Sequence, residues 1–388
     1  MNHLTYIDLF CGIGGFHQAL NRLGATCALA CDIDKDCREM YKLNYGIEPS
    51  PNVKALNPES MPDFDILCGG FPCQAFSQGG HKKCFEDERG LLFDEIIRIA
   101  KVKQPKFMFL ENVKHILRVD GGKVIDYIQR KIKETGYTLQ LLEISPHHYG
   151  IPQQRERIYF VCVRNDLYTS PITLPVFHGK IDFDAFLDKT VDPKYLLQGD
   201  LLHVLEAWDE MVKVFEKDEK ISPTIMMHDA FKEYSDETMK SFPKWKQEYV
   251  TKNKPLLEKY EPQFRAFYEK HKTLLQKKET YGKLEWQTGK IGSNESIFNH
   301  FIQLRQSGIR VKKSKYFPTL VAISQIPIYG KEKRYITPRE CARLQSFPES
   351  FQLSPIDKKS YKQLGNSVNV DNVYTVIHTT LTHNSSCI

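Results

Sequence analysis

Apolar runs that stop at glycine or at an acidic residue, each followed by a stretch with helical spacing, recur from Thr5 to about Asp166. Thr5-Tyr6-Ile7-Asp8-Leu9-Phe10 is β-prone, Cys11-Gly12-Ile13-Gly14-Gly15 breaks it, and Phe16 to Leu23 resumes with apolar positions at helical intervals. Ala28-Leu29-Ala30-Cys31-Asp32 is a second such run, and Phe64-Asp65-Ile66-Leu67-Cys68 a third, which ends in Gly69-Gly70-Phe71-Pro72-Cys73-Gln74. Gly90 to Lys101 carries Leu92, Phe93, Ile96, Ile97 and Ile99 at helical period, and Phe107-Met108-Phe109-Leu110 is a buried strand ending in Glu111-Asn112-Val113. Val124 to Thr135 reads as an amphipathic helix, followed by Leu139 to Ile144, the loop His147 to Pro152, and the extended segment Gln153 to Val163. Strands alternating with helices imply an α/β sheet whose ligand crevice lies outside the carboxyl ends of the strands.

Near Asp166 the alternation stops. Residues 167–200 are irregular and contain proline. Leu201, Leu205, Trp208, Val212 and Phe215 then form one helical stripe, and Leu256, Leu257, Tyr260, Phe264, Phe267, Leu274 and Leu275 suggest a longer helical region. Thr337-Pro338-Arg339-Glu340 is a helix start, with Thr337 as N-cap, Pro338 at the first helical position and Glu340 three residues after the cap. Leu364-Gly365-Asn366-Ser367-Val368 is a turn before a final β-branched and apolar segment, Val370 to Leu381.

Charge adds one feature to this pattern. The net charge of +6 is modest for 388 residues, but between Gln303 and Arg334 it is concentrated: Arg305, Arg310, Lys312, Lys313, Lys315, Lys331, Lys333 and Arg334 stand against Glu332 alone. Such a window suits a phosphate backbone, or else is solubilising charge. No apolar run reaches membrane-spanning length and the first residues are not a signal peptide, so the expected location is the cytoplasm. Ten cysteines without a Cys-x-x-Cys pair point to reduced thiols, and no zinc or other metal site is expected.

The candidate chemistry sits at the strand ends. Pro72 holds Cys73 at the end of a strand, where the thiol is either a presented nucleophile or one more buried small side chain. Glu111, at a neighbouring strand end, is a partner carboxylate or a rim charge. Arg155 and Arg157 lie on one side of an extended segment and suit a phosphate or a base carbonyl, or a structural ion pair. The glycine turn is too short for a pyrophosphate fingerprint, but with Asp32 about 20 residues further on it suits an adenosyl ligand.

Taken in order, Phe10-Cys11-Gly12-Ile13-Gly14-Gly15-Phe16, Gly70-Phe71-Pro72-Cys73-Gln74, Glu111-Asn112-Val113, Gln154-Arg155-Glu156-Arg157 and Gly365-Asn366-Ser367-Val368 resemble the DNA (cytosine-5) methyltransferases of the bacterial restriction-modification type. The resemblance covers roughly residues 4–166 and 316–381. It implies an α/β fold: a Rossmann-like S-adenosylmethionine-dependent methyltransferase sheet with a second, smaller target-recognition domain. The expected division is 1–171 for the catalytic and cofactor-binding domain, 172–330 for target recognition, and 331–388 for a segment returning to the first.

By resemblance, the Cys73 thiolate adds to C6 of a cytosine flipped out of double-stranded DNA, which makes C5 nucleophilic towards the methyl group of S-adenosyl-L-methionine. Glu111 then handles the proton at N3, and Arg155 and Arg157 hold the base and nucleophile environment. No residue stands out as the base that removes the C5 proton. For the cofactor the resemblance points to Phe10, Ile13, Gly15, Asp32, Ile33, Asp65, Ile66, Leu92, Asn366 and Val368. Asp32 stands where the family often has Glu, and Ile33 where it often has an aromatic. For the nucleic acid it points to Gln74, Ser77 and Gly79 in a loop closing over the base, and the variable region adds Arg305, Arg310, Lys312, Lys313, Lys315, Thr319 and Leu320. The chain is expected to act as a monomer. Two other readings share these motifs: a tRNA cytosine-5 methyltransferase, against which the absence of a Cys-Phe-Thr element stands, and a catalytically silent adenosyl-binding protein, against which the intact Cys73, Glu111, Arg155 and Arg157 stand.

Overall fold

Parallel strand pairing sets the layout of the part of the chain that carries the motifs. The computed structural model describes residues 4–72, 91–221, 224–323 and 325–385. The chain divides into two units, Met1–Phe186 with Pro338–Ile388, and Leu187–Thr337.

The first unit is built on strands β1 (Thr5–Leu9), β2 (Thr26–Cys31), β3 (Ile66–Gly70), β4 (Phe107–Val113), β5 (Tyr137–Ile144) and β6 (Arg157–Arg164), in the order β2-β1-β3-β4-β6-β5. β1, β2, β3 and β4 pair in parallel, whereas β6 runs antiparallel to both β4 and β5. Their apolar side chains explain the parallel arrangement: Ile66, Leu67, Cys68, Phe107, Met108 and Leu110 are fully buried, as strands covered on both faces must be. Helices α1 (Gly15–Arg22), α2 (Lys35–Tyr45), α3 (Leu91–Lys103) and α4 (Lys123–Glu134) complete the alternation read from the sequence. On α3 the residues Phe93, Ile96, Ile97 and Ala100, and on α4 the residues Val124, Ile128 and Ile132, bury one stripe each in the same core.

The chain leaves β1 for β2 on one side and passes to β3 on the other. The gap between the carboxyl ends of β1 and β3 is therefore the topological switch point, where open α/β sheets bind ligands. The C-terminal segment returns to this unit as α9 (Pro338–Leu344), α10 (Asp357–Asn366) and α11 (Val370–His383). The β-branched stretch from Val370 is helical because Val370, Val373, Ile377 and Leu381 recur at a helical interval and are all buried, which outweighs their strand preference. Asn369 opens that helix by accepting from the Asn372 N–H at 3.0 Å.

The second unit contains α5 (Gly199–Val212), α6 (Asp236–Ser241), α7 (Lys244–Lys259), α8 (Glu261–Gln276) and the strands β7 (Ile225–Met226), β8 (Lys283–Gln287), β9 (Phe301–Arg305), β10 (Gly308–Lys312), β11 (Ile328–Tyr329) and β12 (Arg334–Tyr335), in a sheet of order β12-β11-β9-β10-β8-β7. The α5 stripe Leu205, Trp208 and Val212 packs with Phe264 and Phe267 of α8 and with the sheet residues Ile302, Ile309 and Val311. The long helical region breaks at Tyr260, two residues before Pro262, which lies in the first turn of α8 where its missing N–H costs nothing. This unit runs from Leu187 to Thr337, where the sequence suggests 172 and 330, because β11 (Ile328–Tyr329) pairs with β9 (Phe301–Arg305) and with β12 (Arg334–Tyr335). Among the described residues no helix is long and apolar enough to cross a membrane.

Candidate active site

The turn after β1 is shaped by backbone that few residues adopt. Phe10, Gly12 and Gly14 have φ of 56°, 54° and 87°, and a non-glycine residue such as Phe10 in this region marks strain retained at a site. Cys11 N–H donates to Cys31 O at 3.0 Å, continuing the pairing with β2, and Gly14 N–H closes the turn on Cys11 O at 2.8 Å. Ile13 is buried and Phe10 half-buried. Gly12 N–H donates to Asp32 Oδ2 at 2.8 Å, and Asp34 N–H to Asp32 Oδ1 at 2.7 Å. Burial raises the Asp32 carboxyl pKa, and these two backbone donors act against it.

Two observations mark space for a ligand here. A Cβ placed on Gly12 would meet no atom within 4 Å, and Ile33, next to the gripped carboxylate, is 84% exposed, an unusual position for a large apolar side chain. An acid with remaining lone pairs, a bare backbone turn and an uncovered apolar face together fit the ribose and adenine of S-adenosylmethionine.

Gly15 serves a different contact. A Cβ there would lie 2.5 Å from Val368 Cγ2 and 3.0 Å from Ser367 Oγ, so its bareness lets the C-terminal segment pack against the turn. Val368 is buried in that contact, and Asn366, at the end of α10, is exposed. The same segment is tied to the start of α2 by Lys362 on Asp34, the N-cap, at 2.7 Å and by Lys359 on Asp36, in the first turn, at 2.6 Å.

At the ends of β3 and β4, register brings Gly70 opposite Glu111, and Glu111 in turn opposite Tyr159 of β6. Asn112 Nδ2 donates to Phe71 O at 3.0 Å in a buried contact, fixing the backbone that leads into Pro72. Cys73, Gln74, Ser77 and Gly79 lie outside the described residues. Arg157 Nε stands 3.0 Å from Glu111 Oε1, with both side chains mostly buried. Burial raises the Glu111 carboxyl pKa, and Arg157 and then Arg155 hold it back only in part. The carboxyl is thereby biased towards its protonated form, which can donate a hydrogen bond.

The two arginines have separate tasks. Arg155 is 2% exposed, and its Nη2 donates to Gly365 O at 3.0 Å and to Ser367 O at 2.8 Å, so it fastens the C-terminal segment to the start of β6. Arg157 is the one beside the carboxylate. Alternation put both on one side of the extended segment, but burial and partners divide them.

Asp65 and Ile66 are not brought to the crevice. Asp65 precedes β3, accepts from Thr5 N–H at 2.9 Å and pairs with Lys106 at 3.0 Å, while Ile66 is fully buried opposite Tyr6. Parallel pairing of β1 with β3 fixes both at the amino ends of the strands, away from the switch point. The residues that do reach the carboxyl edge beside Asp32 are Ser50 and its neighbours: Ser50 bridges Cys31, and Asp32 N–H donates to Ser50 O at 3.0 Å. The only sequence signal for them is the turn-forming Pro49-Ser50-Pro51-Asn52. Asn112 was legible only as the neighbour of Glu111. Leu92 lies half-buried on the first turn of α3, packed against the core.

In the second unit, Arg310 and Lys312 occupy the face of β10 (Gly308–Lys312) opposite the buried Ile309 and Val311. Arg310 Nη2 pairs with Glu285 of β8 (Lys283–Gln287) at 2.7 Å, Lys333 with Glu206 at 2.8 Å, and the buried Arg334 with Glu332 at 2.5 Å. The local excess of positive charge is thus reduced by Glu285 and Glu206, which lie outside the window, while Glu332 is the acid already within it. Lys313 and Lys315 are exposed, Arg305 and Thr319 half-buried, and Leu320 is buried. Among the described residues no group of three or more His, Cys, Asp or Glu is placed to hold a metal ion.

The chain matches the family of C-5 cytosine-specific DNA methylases over residues 4–382. It is 30% identical over 365 residues to the Type II methyltransferase M.HhaI of Haemophilus parahaemolyticus, covering 94% of this chain and 90% of that protein. It is 31% identical over 375 residues to the Type II methyltransferase M.HpaII of Haemophilus parainfluenzae, covering 94% and 86%. Among solved structures, the S. pombe Dnmt2 methyltransferase has a TM-score of 0.58 at 20% identity over 98% of this chain and 99% of that one, a likeness of fold.

Proposed function

The chain belongs to the C-5 cytosine-specific DNA methylases, and from that premise we propose that it is the modification enzyme of a restriction-modification system, acting on a cytosine flipped out of double-stranded DNA at a fixed short sequence. The observation that carries the site reading is the Glu111–Arg157 pair at 3.0 Å at the strand end opposite Gly70, one strand away from the Phe71 carbonyl that Asn112 holds just before Pro72. The glycine turn, Asp32 and Ile33 would hold S-adenosylmethionine, which would supply an electrophilic methyl group when bound.

The chain's own residues do the rest. Cys73 follows Pro72 in the sequence, three residues after Gly70, and its thiolate forms the bond to C6 of the cytosine. A protonated Glu111 donates to N3, which draws electron density from the ring and eases that addition. Arg157, 3.0 Å from Glu111, keeps the carboxyl oriented. Once C5 has taken the methyl group, water accepts the C5 proton, the C6–S bond breaks to release the Cys73 thiolate, and N3 returns its proton to Glu111, which restores the aromatic base. Exposed Lys313 and Lys315 suit phosphates, and the more enclosed Arg310 suits a fixed contact.

Bisulfite sequencing of DNA and of tRNA from cells expressing the chain tests this function. Methylated cytosine at one short DNA sequence is expected; methylated tRNA beside unmethylated DNA would overturn the proposal.

A further inference from the structure

Beneath the glycine turn lies a buried polar cluster that no step above uses: His17 on α1, and Tyr41 and Tyr45 on α2. The His17 and Tyr45 rings are stacked with centroids 3.8 Å apart and 25° between planes. The Tyr41 hydroxyl is 2.7 Å from His17 Nδ1, which fixes the imidazole on its far side. Burial lowers the His17 pKa to about 4, so the ring is neutral at physiological pH and the stack does not change with protonation there. Tyr45 is thus held in one orientation by a ring that is itself held.

Its hydroxyl points at the turn. Tyr45 Oη lies 3.1 Å from Ile13 O and 3.2 Å from Gly14 O, while Gln18 Nε2 donates to it at 3.2 Å. A phenol has one hydrogen to give. With the Gln18 amide occupying an acceptor position, that hydrogen is directed to the two carbonyls of the turn. The ring also fills the space that any side chain at Gly14 would need, since a Cβ there would lie 2.3 Å from Tyr45 Cε2. The two carbonyls belong to residues between Gly12, whose N–H grips Asp32, and Gly15, against which Val368 packs.

We infer that Tyr45 is a positioning residue for the methyl-donor site, its hydroxyl holding the Ile13 and Gly14 carbonyls so that the strained turn is shaped before the cofactor arrives. The inference rests on the reading that this turn cradles S-adenosylmethionine. A turn ordered in advance spares the ligand the cost of ordering it, so the hydroxyl acts on cofactor affinity and not on the chemical step.

Tyr45→Phe keeps the ring and removes only the hydroxyl. It is compared with wild type and with Tyr41→Phe, which removes a hydrogen bond from the same cluster but none from the turn. Calorimetric titration with S-adenosylhomocysteine and steady-state kinetics on DNA are measured for all three. Tyr45→Phe is expected to raise the Kd for S-adenosylhomocysteine and the KM for S-adenosylmethionine about fivefold, with kcat within about twofold, as loss of a net hydrogen bond implies. Tyr41→Phe is expected to lower thermal stability and to leave both constants within about twofold. Unchanged constants in Tyr45→Phe, or equal shifts in both variants, would overturn the inference. A wild-type protein that binds no S-adenosylhomocysteine would remove its premise instead, so the two failures are distinguishable.

Discussion

Arg155 and Arg157 stand two residues apart in the sequence, and the structure makes opposite demands of them. Consider Arg155→Gln. The guanidinium gives one nitrogen to two buried carbonyls, those of Gly365 and Ser367, at 3.0 and 2.8 Å. Hydrogen bonds from a charged donor contribute roughly 1.5–3 kcal/mol each, and leaving a buried acceptor unpaired carries a cost of its own. Against this, the substitution removes a fully buried cation next to Arg157, and burial together with that neighbour already disfavours its charge. The lower end of the gain for both bonds is about 3 kcal/mol, and the cost of two unpaired carbonyls offsets the relief from removing the buried cation, so the expected loss is about 3 kcal/mol. At about 2–4 °C per kcal/mol for a domain of this size, the melting temperature of the first unit should fall by roughly 6–12 °C. The C-terminal segment should also become more open to proteolysis around Gly365 to Val368. Scanning calorimetry and timed digestion with thermolysin, which cuts before apolar residues such as Leu364 and Val368, followed by mass spectrometry read both effects. An Arg155→Gln protein that melts like wild type and loses only turnover would refute the assignment of Arg155 as a fastening residue.

Arg157→Gln should do the reverse, because Glu111 can take up a proton when its partner is lost: melting within a few degrees of wild type, with a large fall in kcat measured under saturating DNA. Gly15→Ala should cost about 1–3 kcal/mol by forcing a methyl group into Val368, read by chemical denaturation, and should raise the Kd for S-adenosylhomocysteine. Glu111 has a folded-state pKa raised by burial, so its contribution to stability is present below the ordinary carboxylate range and is lost as pH rises through the raised value. The stability of wild type relative to Glu111→Gln should accordingly decline from about pH 4 upward and then level off, as followed by urea unfolding at a series of pH values. Ile33→Ser should weaken S-adenosylhomocysteine binding by about 1 kcal/mol with no change in melting temperature, since that side chain buries apolar area only when a ligand covers it.

The strand and helix alternation of the first unit was legible because each buried parallel strand is a continuous apolar run and each turn is marked by glycine or an acid. Strand direction was less legible from matched motifs. Asp65 and Ile66 belong to the right strand but to its amino end, and only the pairing of Ile66 with Tyr6 makes that plain. The valine-rich C-terminal helix shows the reverse problem, in which β-branched composition conceals a helical spacing. Charge counted along the chain overstated the basic window, because Glu285 and Glu206 reach Arg310 and Lys333 only through folding. The roles of Asn112, Tyr45 and Ser50 leave no local pattern, because each acts through hydrogen bonds or a backbone bridge to groups far away in sequence.

The central claim is that the thiol after Pro72 attacks the base. A duplex carrying 5-fluorocytosine at the target position, incubated with S-adenosylmethionine, tests it directly, because fluorine at C5 blocks the final elimination and leaves the protein bound to C6. A denaturant-stable complex whose digest carries the modified base on Cys73, and its absence with Cys73→Ala, is the expected result; an equal yield of that complex with Cys73→Ala would contradict the account.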